Sequence, residues 1–230
     1  MDKPAISIII PTCNEESIIA RTIGQLLMLT EHSKRVEIIV SDASTDKTPE
    51  ILSTFPVTLC NSARGRAIQM NSGAQHANGD ILYFLHADTY PPKTFLEDIL
   101  AAVASGKKAG CFRMHFDDDH PLMCLFGWFT QFPLMICRGG DQSLFIKREL
   151  FAEIGGFNTA MLIMEDYDII ARIEQRTPFH ILDNDVTTSA RKYHNNGIIP
   201  LQVIFGTIHI MYALGVNQLE IIRYYKAHVA

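Results

Sequence analysis

The stretch Ile81-Leu82-Tyr83-Phe84-Leu85-His86-Ala87-Asp88 is an apolar run that ends abruptly in a single carboxylate. A buried parallel strand has this pattern when it delivers an acidic side chain to the carboxyl edge of a sheet, where open α/β sheets bind ligands. One aspartate in that position can hold a divalent metal ion. A metal ion at such a strand end indicates that a phosphate group binds nearby.

Strand and helix signals alternate through the first half of the chain. Residues 6–10, 36–40, 57–59 and 81–85 are predicted strands, and residues 17–29, 63–77 and 91–103 are predicted helices. This β-α-β-α-β-α-β order predicts a mostly parallel sheet with helices on both faces. Farther along, residues 143–146 and 179–182 are predicted strands, residues 148–154 and 165–175 are predicted helices, and the tail is predicted to form two helices. One α/β domain is therefore expected over residues 1–230.

Composition limits the class of protein. Hydrophobic residues make up 47% and charged residues 20% of the 230 residues, which is typical of a globular protein. The formal net charge of -5 is spread along the chain without a basic stripe, so no nucleic-acid partner is expected. The five cysteines lack zinc-binding spacing, which favours reduced thiols and a cytoplasmic location. The start, Met1-Asp2-Lys3-Pro4, leads directly into a strand and is not expected to be a signal peptide.

Two apolar segments, residues 121–137 and 198–214, raise the question of membrane contact. A spanning helix needs about 20 apolar residues, and Pro133 and Pro200 interrupt or open these segments. Amphipathic helices packed on the core are therefore expected. A peripheral contact with the inner face of a membrane is left open.

Polar groups follow four predicted strands, at the points where each strand ends. They are Pro11-Thr12-Cys13-Asn14-Glu15, Asp42-Ala43-Ser44-Thr45-Asp46, Arg64-Gly65-Arg66 and His86-Ala87-Asp88. In a parallel sheet these ends lie side by side. Carboxylates can bind a base or ribose hydroxyls, arginines can neutralise a diphosphate, and Asp88 can hold a metal that bridges its oxygens.

Each of these groups, taken alone, also has a structural explanation. Asn14 and Ser44 can cap helices, Arg64 and Arg66 can be solvated, and Asp88 can simply end a strand. Their convergence on one edge of the sheet favours a nucleotide site over these explanations.

The same motifs resemble those of family 2 glycosyltransferases of the GT-A fold. The resemblance rests on residues 11–15, on residues 41–48 and on His86-Ala87-Asp88. It is closer to a bacterial subgroup, the radical-SAM/selenodomain-associated glycosyltransferase-like proteins. That subgroup has runs similar to residues 65–74, to residues 84–89, to Gly140-Asp141-Gln142 and to residues 155–166. The resemblance covers most of the chain, and the ordered series of motifs carries it.

The resemblance implies a nucleotide-sugar donor, with Mg²⁺ or Mn²⁺ held between Asp88 and the donor diphosphate. It implies that residues 1–108 bind the donor, residues 109–190 form the acceptor and catalytic half, and residues 191–230 are C-terminal helices. It makes Asp166, next to Glu165, the general base. The nucleotide-binding residues that it implies are Pro11, Thr12, Asn14, Glu15, Asp42, Arg66 and Asp88.

Three other polar residues have two interpretations each. Asp141 and Gln142 either line the acceptor pocket or close a turn before the next strand. Arg191 either closes over the diphosphate or lies in a basic surface turn.

The chain departs from the broad family at two points. His86 occupies the first position of the D-x-D motif, which weakens the ribose contact and the metal binding expected there. The Q-x-x-R-W motif of processive polysaccharide synthases is missing, so a processive polymerase is not expected.

These residue types fit a metal-dependent, inverting glycosyltransferase. The metal and an arginine stabilise the leaving diphosphate, and a carboxylate base activates an acceptor hydroxyl. Asp42 favours a UDP-sugar because a carboxylate can accept from a uracil N–H. The acceptor is unidentified, and the apolar segment 121–137 makes a lipid-linked hydroxyl one candidate.

Two alternatives remain at this point. A nucleotidyltransferase would need a glycine-rich basic loop after the first strand, and residues 11–15 contain no glycine or lysine. A non-catalytic nucleotide-sugar-binding protein is suggested by His86, although Asp88 and Asp166 are both present.

Overall fold

The computed structural model describes residues 3–31, 33 and 35–229. Met1 and Asp2, on which part of the signal-peptide expectation depends, lie outside the described residues. Eight strands form one sheet in the order β3-β2-β1-β4-β7-β6-β8-β5. The strands are β1 (Ile6–Thr12), β2 (Val36–Asp42), β3 (Thr58–Asn61), β4 (Ile81–Phe84), β5 (Thr89–Tyr90), β6 (Ala109–Phe116), β7 (Leu144–Lys147) and β8 (His180–Thr188).

Helices cover both faces of the sheet, and three more helices follow β8. They are α1 (Ile19–Thr30), α2 (Thr48–Leu52), α3 (Arg66–His76), α4 (Phe95–Ala104), α5 (Pro121–Phe129), α6 (Arg148–Glu153), α7 (Glu165–Glu174), α8 (Arg191–Asn196), α9 (Ile198–Ala213) and α10 (Gln218–His228). Two short 3₁₀ turns, Met135–Cys137 and Gly140–Gln142, lie between α5 and β7. Within the described part of the chain, no helix combines the length and apolarity needed to cross a bilayer.

The first four predicted strands are confirmed as a parallel unit. β1 pairs in parallel with β2 on one side and with β4 on the other, and β2 pairs in parallel with β3. The register places Thr12 opposite Asp42, at the last residues of β1 and β2. The polar groups that follow these strands therefore share one edge of the sheet, as the sequence predicts.

The remaining strands make the sheet mixed, and it is mostly parallel as expected. β7 inserts antiparallel between β4 and β6, and β5 pairs antiparallel with β8. β8 extends six residues beyond the predicted strand end at Leu182. Its pairing with β6 shifts register after Leu182, and Asp183, Asn184 and Asp185 at the shift are exposed. Alternating apolar residues are missing there, so sequence patterning stops too early.

The tail contains three helices where two are predicted. Gly197 separates α8 from α9, and its positive φ of 80° is a conformation that glycine adopts readily. The predicted helical tail is thus interrupted just before Ile198.

Two apolar layers sandwich the sheet because side chains alternate along each strand. Ile8, Ile10 and Tyr83 face α1 and α4 in one layer. Ile9, Ile39 and Phe84 face α3 and α7 in the other layer. A third cluster joins α5, α8 and α9 through buried residues that include Met123, Tyr193 and Leu201. Both faces of the sheet are covered, which leaves its carboxyl edge as the open side.

Candidate active site

A tight hydrogen-bonded unit joins the loops after β1 and β2. The Thr12 hydroxyl and the Ser44 hydroxyl each donate to Asp42 Oδ1 at 2.6 Å, and the Ser44 N–H donates to Asp42 Oδ2 at 3.1 Å. Asp42 is 4% exposed, so its carboxylate is held in one orientation at the edge of the sheet.

Asn14 links the same two loops instead of capping a helix. Its N–H donates to Ser44 Oγ at 2.8 Å, and its side-chain oxygen accepts from the Thr45 N–H at 2.8 Å. Asn14 has a positive φ of 61°, which asparagine tolerates better than most residues. Neither α1 nor α2 has a side-chain cap, so the capping explanation of Asn14 and Ser44 is wrong.

Glu15 lies where three parts of the chain meet. Its N–H donates to Thr48 Oγ1, and its Oε2 lies 3.5 Å from Arg191 Nη2. Partial burial raises the pKa of the Glu15 carboxyl, the Arg191 charge opposes this shift, and the Asp88 carboxylate adds to it. Arg191 therefore reaches from α8 to the loop after β1, and Asp88 lies near enough to Glu15 to act on its charge.

A group of potential metal ligands lies next to this loop. One ligand atom from each of His86, Asp88 and Asp141 lies within 4.8 Å of the others. His86 Nδ1 and Asp141 Oδ1 are 2.9 Å apart. Burial would raise the pKa of Asp141, but the hydrogen bond and charge of His86, followed by the charges of Lys192 and Arg66, hold that pKa well below its usual range.

This donor set fits a divalent cation. Carboxylate oxygens suit Mg²⁺ and Mn²⁺, and an imidazole nitrogen is compatible with transition metals. The sequence predicts only Asp88 as a metal ligand, whereas the structure adds His86 and Asp141 as potential ligands. Arg138 holds the segment that leads to Asp141, because its buried guanidinium donates to the carbonyl oxygens of Thr130 and Phe132.

Asp166, in the first turn of α7, lies close to this group. A Cβ placed on Gly140 would lie 2.2 Å from Asp166 Oδ2 and 2.5 Å from His86 Cε1. The backbone of Gly140 thus fills the gap between the Asp166 carboxylate and the His86 ring, and only glycine leaves room for both.

Glu165 and Arg66 form an ion pair beside Asp166. Arg66 Nη1 donates to Glu165 Oε1 at 2.9 Å, and the Glu165 side chain is 3% exposed. The neighbouring carboxylates, Glu165 first, hold the pKa of Arg66 above its usual range. The buried Glu165 is therefore paired with an arginine whose side chain is 45% exposed, which leaves Asp166 as the freer carboxylate of the two.

The chemistry of Asp166 follows from its surroundings. Burial, with the charge of Glu165, raises the pKa of Asp166 to about 7, against opposing effects of His86 and Arg66. A carboxylate with a pKa near neutrality can accept a proton from a hydroxyl group under ordinary conditions.

Most of the predicted site residues converge, but Gln142 does not. Its side chain is 2% exposed, and its amide nitrogen donates to the Phe112 and Thr130 carbonyl oxygens at 3.2 and 3.4 Å. Gln142 therefore supports the backbone behind the site, in keeping with the turn-closing interpretation.

The structure also brings in Lys192, whose charge acts on both Glu15 and Asp141. Its position next to Arg191 was the only sequence signal for it.

The fold and the site define an α/β protein with acidic groups and an imidazole at the carboxyl edge of its sheet. The sequence profile described as glycosyl transferase family 2 matches residues 7–145. The chain therefore belongs to glycosyl transferase family 2.

Two curated relatives carry glycosyltransferase names. An uncharacterized glycosyltransferase of Haemophilus influenzae is 29% identical over 193 residues, which is 76% of this chain and 63% of the relative. The "probable glycosyltransferase YdaM" of Bacillus subtilis is 26% identical over 196 residues, 74% of this chain and 46% of the relative. The chain thus spans between about half and two thirds of the length of these relatives.

Two solved structures share the fold. The mannosyltransferase PcManGT of Pyrobaculum calidifontis, in complex with GDP-Man and Mn²⁺, superposes with a TM-score of 0.68 at 21% identity, over 93% of this chain and 65% of that one. S. aureus TarS 1-349, in complex with UDP-GlcNAc, has a TM-score of 0.66 at 17% identity, and the match covers 80% of this chain and 58% of that one. These similarities confirm the predicted GT-A-type fold.

Proposed function

We propose that this chain transfers a sugar from a nucleoside diphosphate donor to a hydroxyl acceptor, with a divalent metal ion and inversion at the anomeric carbon. One observation carries the proposal. The Asp166 carboxylate lies across the Gly140 backbone from His86, and His86 belongs to the group of potential metal ligands with Asp88 and Asp141. A candidate base and a candidate metal group are therefore neighbours, as sugar transfer requires.

The donor would lie along the loops after β1 and β2. The fixed Asp42 carboxylate, with Thr12 behind it, can accept a base N–H, and Glu15 and Asn14 border the same loop, which begins after Pro11. PcManGT is complexed with GDP-Man and TarS 1-349 with UDP-GlcNAc, which supports a nucleotide-sugar donor. We favour a UDP-sugar, because Asp42 can accept the single N–H of uracil.

Asp88, with His86 and Asp141, would hold Mn²⁺ or Mg²⁺, and the bound ion would stabilise negative charge on the leaving diphosphate. Arg191 and Lys192 lie on the side of this group nearest Glu15 and can add positive charge there. Arg66 is committed to Glu165, so we assign it to positioning the catalytic helix α7 as well as to the donor.

Asp166 would act as the base. Its carboxylate takes the proton of the acceptor hydroxyl while the acceptor oxygen bonds to the anomeric carbon. The bond from that carbon to the diphosphate oxygen breaks at the same time, and the nucleoside diphosphate leaves with the bonding electrons. Because attack and departure occur on opposite faces, the configuration inverts and no covalent enzyme intermediate is needed.

Several finer assignments belong to the same proposal. Residues 1–108 would bind the donor, residues 109–190 would supply the metal partner and base, and residues 191–230 would be the C-terminal helices. The radical-SAM/selenodomain-associated subgroup, a cytoplasmic location and a lipid-linked acceptor remain predictions. One curated relative, 30% identical over 112 residues, is a glucuronosyltransferase of Methanococcus voltae whose name includes a dolichyl-linked sugar phosphate. It makes a lipid-linked acceptor worth testing.

Asp166→Asn tests the proposal directly. We expect the rate of sugar transfer to fall by about 100-fold or more, since removing a general base typically costs that much, while donor affinity stays nearly unchanged. Asp183→Asn is the matched control, because Asp183 is an exposed aspartate on β8 outside the site. Transfer at an unchanged rate in Asp166→Asn would remove the base assignment. Donor binding without transfer in the unmodified protein would instead favour a non-catalytic binding role.

A further inference from the structure

Helix α9 is mostly apolar, yet one side of it has no protein partner among the described residues. It contains no charged residue. Leu201 and Ile208 are buried on its inner side, whereas Ile199, Val203 and Ile210 are 61–65% exposed. With about 100° between successive helical residues, the exposed positions and Leu214, at 77% exposed, fall within a stripe about 60° wide. An uncharged helix with such a stripe normally has a partner that covers it.

Helix α5 presents a second apolar face from the same helical cluster. Met123 and Phe126 pack towards α8 and α9, whereas Trp128 and Phe129 are 54% and 43% exposed. The Trp128 ring contacts Phe132 at a centroid distance of 4.8 Å and Phe129 at 5.2 Å. The result is an outward-facing aromatic group.

The charge of the surrounding helices identifies the partner. Residues 191–230 carry four basic side chains, Arg191, Lys192, Arg223 and Lys226, and one acidic side chain, Glu220. Their net charge is therefore +3, and the preceding 190 residues carry the remaining -8 of the chain's total of -5. The apolar stripe thus lies in a segment with a net positive charge, within a protein that is acidic overall. A helix that lies on an anionic bilayer typically has an apolar stripe and basic residues beside it, and a tryptophan often lies at the level of the headgroups.

We propose that the outer faces of α9 and α5 dock on a lipid bilayer that carries anionic headgroups. The α9 stripe enters the acyl boundary, Trp128 lies at the level of the headgroups, and the exposed Arg223 and Lys226 of α10 bind the anionic surface. The contact is peripheral. It requires no sugar transfer, so it stands independently of the proposed function.

Vesicle flotation tests the docking. We expect the chain to float with phosphatidylcholine vesicles that contain phosphatidylglycerol, and to float poorly with phosphatidylcholine alone or in high salt. The double variant Val203→Glu/Ile210→Glu should lower the partition coefficient at least about tenfold, because it puts two charges in the stripe. Met28→Glu is the matched control, since Met28 is an exposed apolar residue (67%) on α1, outside both faces.

Two further measurements complete the test. Trp128 is the only tryptophan of the chain, so its emission should shift to shorter wavelength with anionic vesicles. Arg223→Glu/Lys226→Glu should weaken binding to anionic vesicles and keep the circular dichroism spectrum unchanged, which separates loss of docking from misfolding.

Three results would overturn the proposal. The first is no flotation of the unmodified chain with anionic vesicles. The second is equal flotation of Val203→Glu/Ile210→Glu and Met28→Glu. The third is a dimer in sedimentation that the stripe variant converts to a monomer, because a second copy would then cover the stripe. Unchanged Trp128 emission during full flotation would overturn the part assigned to α5.

Discussion

At the scale of single residues, the site depends on how closely Gly140 approaches Asp166 and His86. The three residues come from three separate segments, and a Cβ on Gly140 would lie within 2.5 Å of atoms of both side chains. Real Cβ atoms do not come that close to other atoms, so any larger residue must push the carboxylate or the imidazole out of place.

Gly140→Ala should therefore abolish activity while the fold persists. Displacement of a reacting group by about 1 Å can cost on the order of 100-fold in rate, and we expect a loss of at least that size in kcat. Gly139→Ala is the matched control, because a Cβ at Gly139 would meet nothing within 4 Å. Steady-state transfer assays and circular dichroism measure the two effects. Equal kcat in the two variants would show that the approach of Gly140 has no part in catalysis.

At the scale of elements, Gly73 allows α3 to pack closely on the sheet, because it has no side chain. A Cβ on Gly73 would lie 2.5 Å from Ile9 Cγ2, a buried atom of β1. This contact sets the distance between α3 and β1, and α3 begins with Arg66, the partner of Glu165. The packing of α3 on the sheet thus affects the position of Glu165 at the start of α7.

Gly73→Ala should destabilise the protein by about 1–3 kcal/mol, the usual cost of overpacking a core. Gly24→Ala, in the middle of α1, should stabilise it by about 1 kcal/mol, because a Cβ there meets nothing within 4 Å and alanine favours the helix. Urea unfolding of both variants measures the difference. Equal stability of the two would contradict the close packing of α3 on β1.

A second element-scale prediction concerns the amino end of the sheet, where Glu37 joins three segments. Its carboxylate accepts hydrogen bonds from the Ser7 hydroxyl at 2.6 Å and from the backbone N–H groups of Asn78 and Gly79. Burial would raise the pKa of Glu37, but these hydrogen bonds outweigh it and hold the pKa below its usual value. The ionised form therefore stabilises the fold.

The sign of the pH effect follows from that lowered pKa. The contribution of Glu37 is fully present above the pKa of an unfolded glutamate, about 4.3, and is lost as the pH falls through the lower folded pKa. Glu37→Gln should lower the free energy of unfolding at pH 7 and reduce its fall between about pH 5 and pH 3. Glu31→Gln, at an exposed position after α1, is the control. Parallel pH profiles for Glu37→Gln and the unmodified protein would contradict this account.

At the scale of the whole molecule, the sequence predicts the parallel half well and the second half less well. Thr12, Asp42 and Asp88 are predictable because buried apolar runs precede them, and parallel pairing brings the carboxyl ends of these strands to one edge. The insertion of β7 between β4 and β6 is not predictable, since a four-residue apolar strand carries no signal for its direction.

The site shows the same division. His86 and Asp141 are 55 residues apart, and the irregular segment between α5 and β7 brings them together. No periodic pattern describes that segment, because its path depends on Arg138 and on backbone carbonyl groups. The ion pair of Arg66 with Glu165 likewise depends on how α3 and α7 pack on one face of the sheet.

The most direct test of the central claim is calorimetric titration of the protein with UDP- and GDP-sugars, in the presence of Mn²⁺ and after metal removal with EDTA. The account predicts binding of one donor per chain that requires Mn²⁺ and is lost or weakened about 10- to 100-fold in Asp88→Asn and Asp141→Asn, with Asp183→Asn unchanged. Donor binding of equal strength in EDTA and in Asp88→Asn, or no donor binding under any of these conditions, would contradict it.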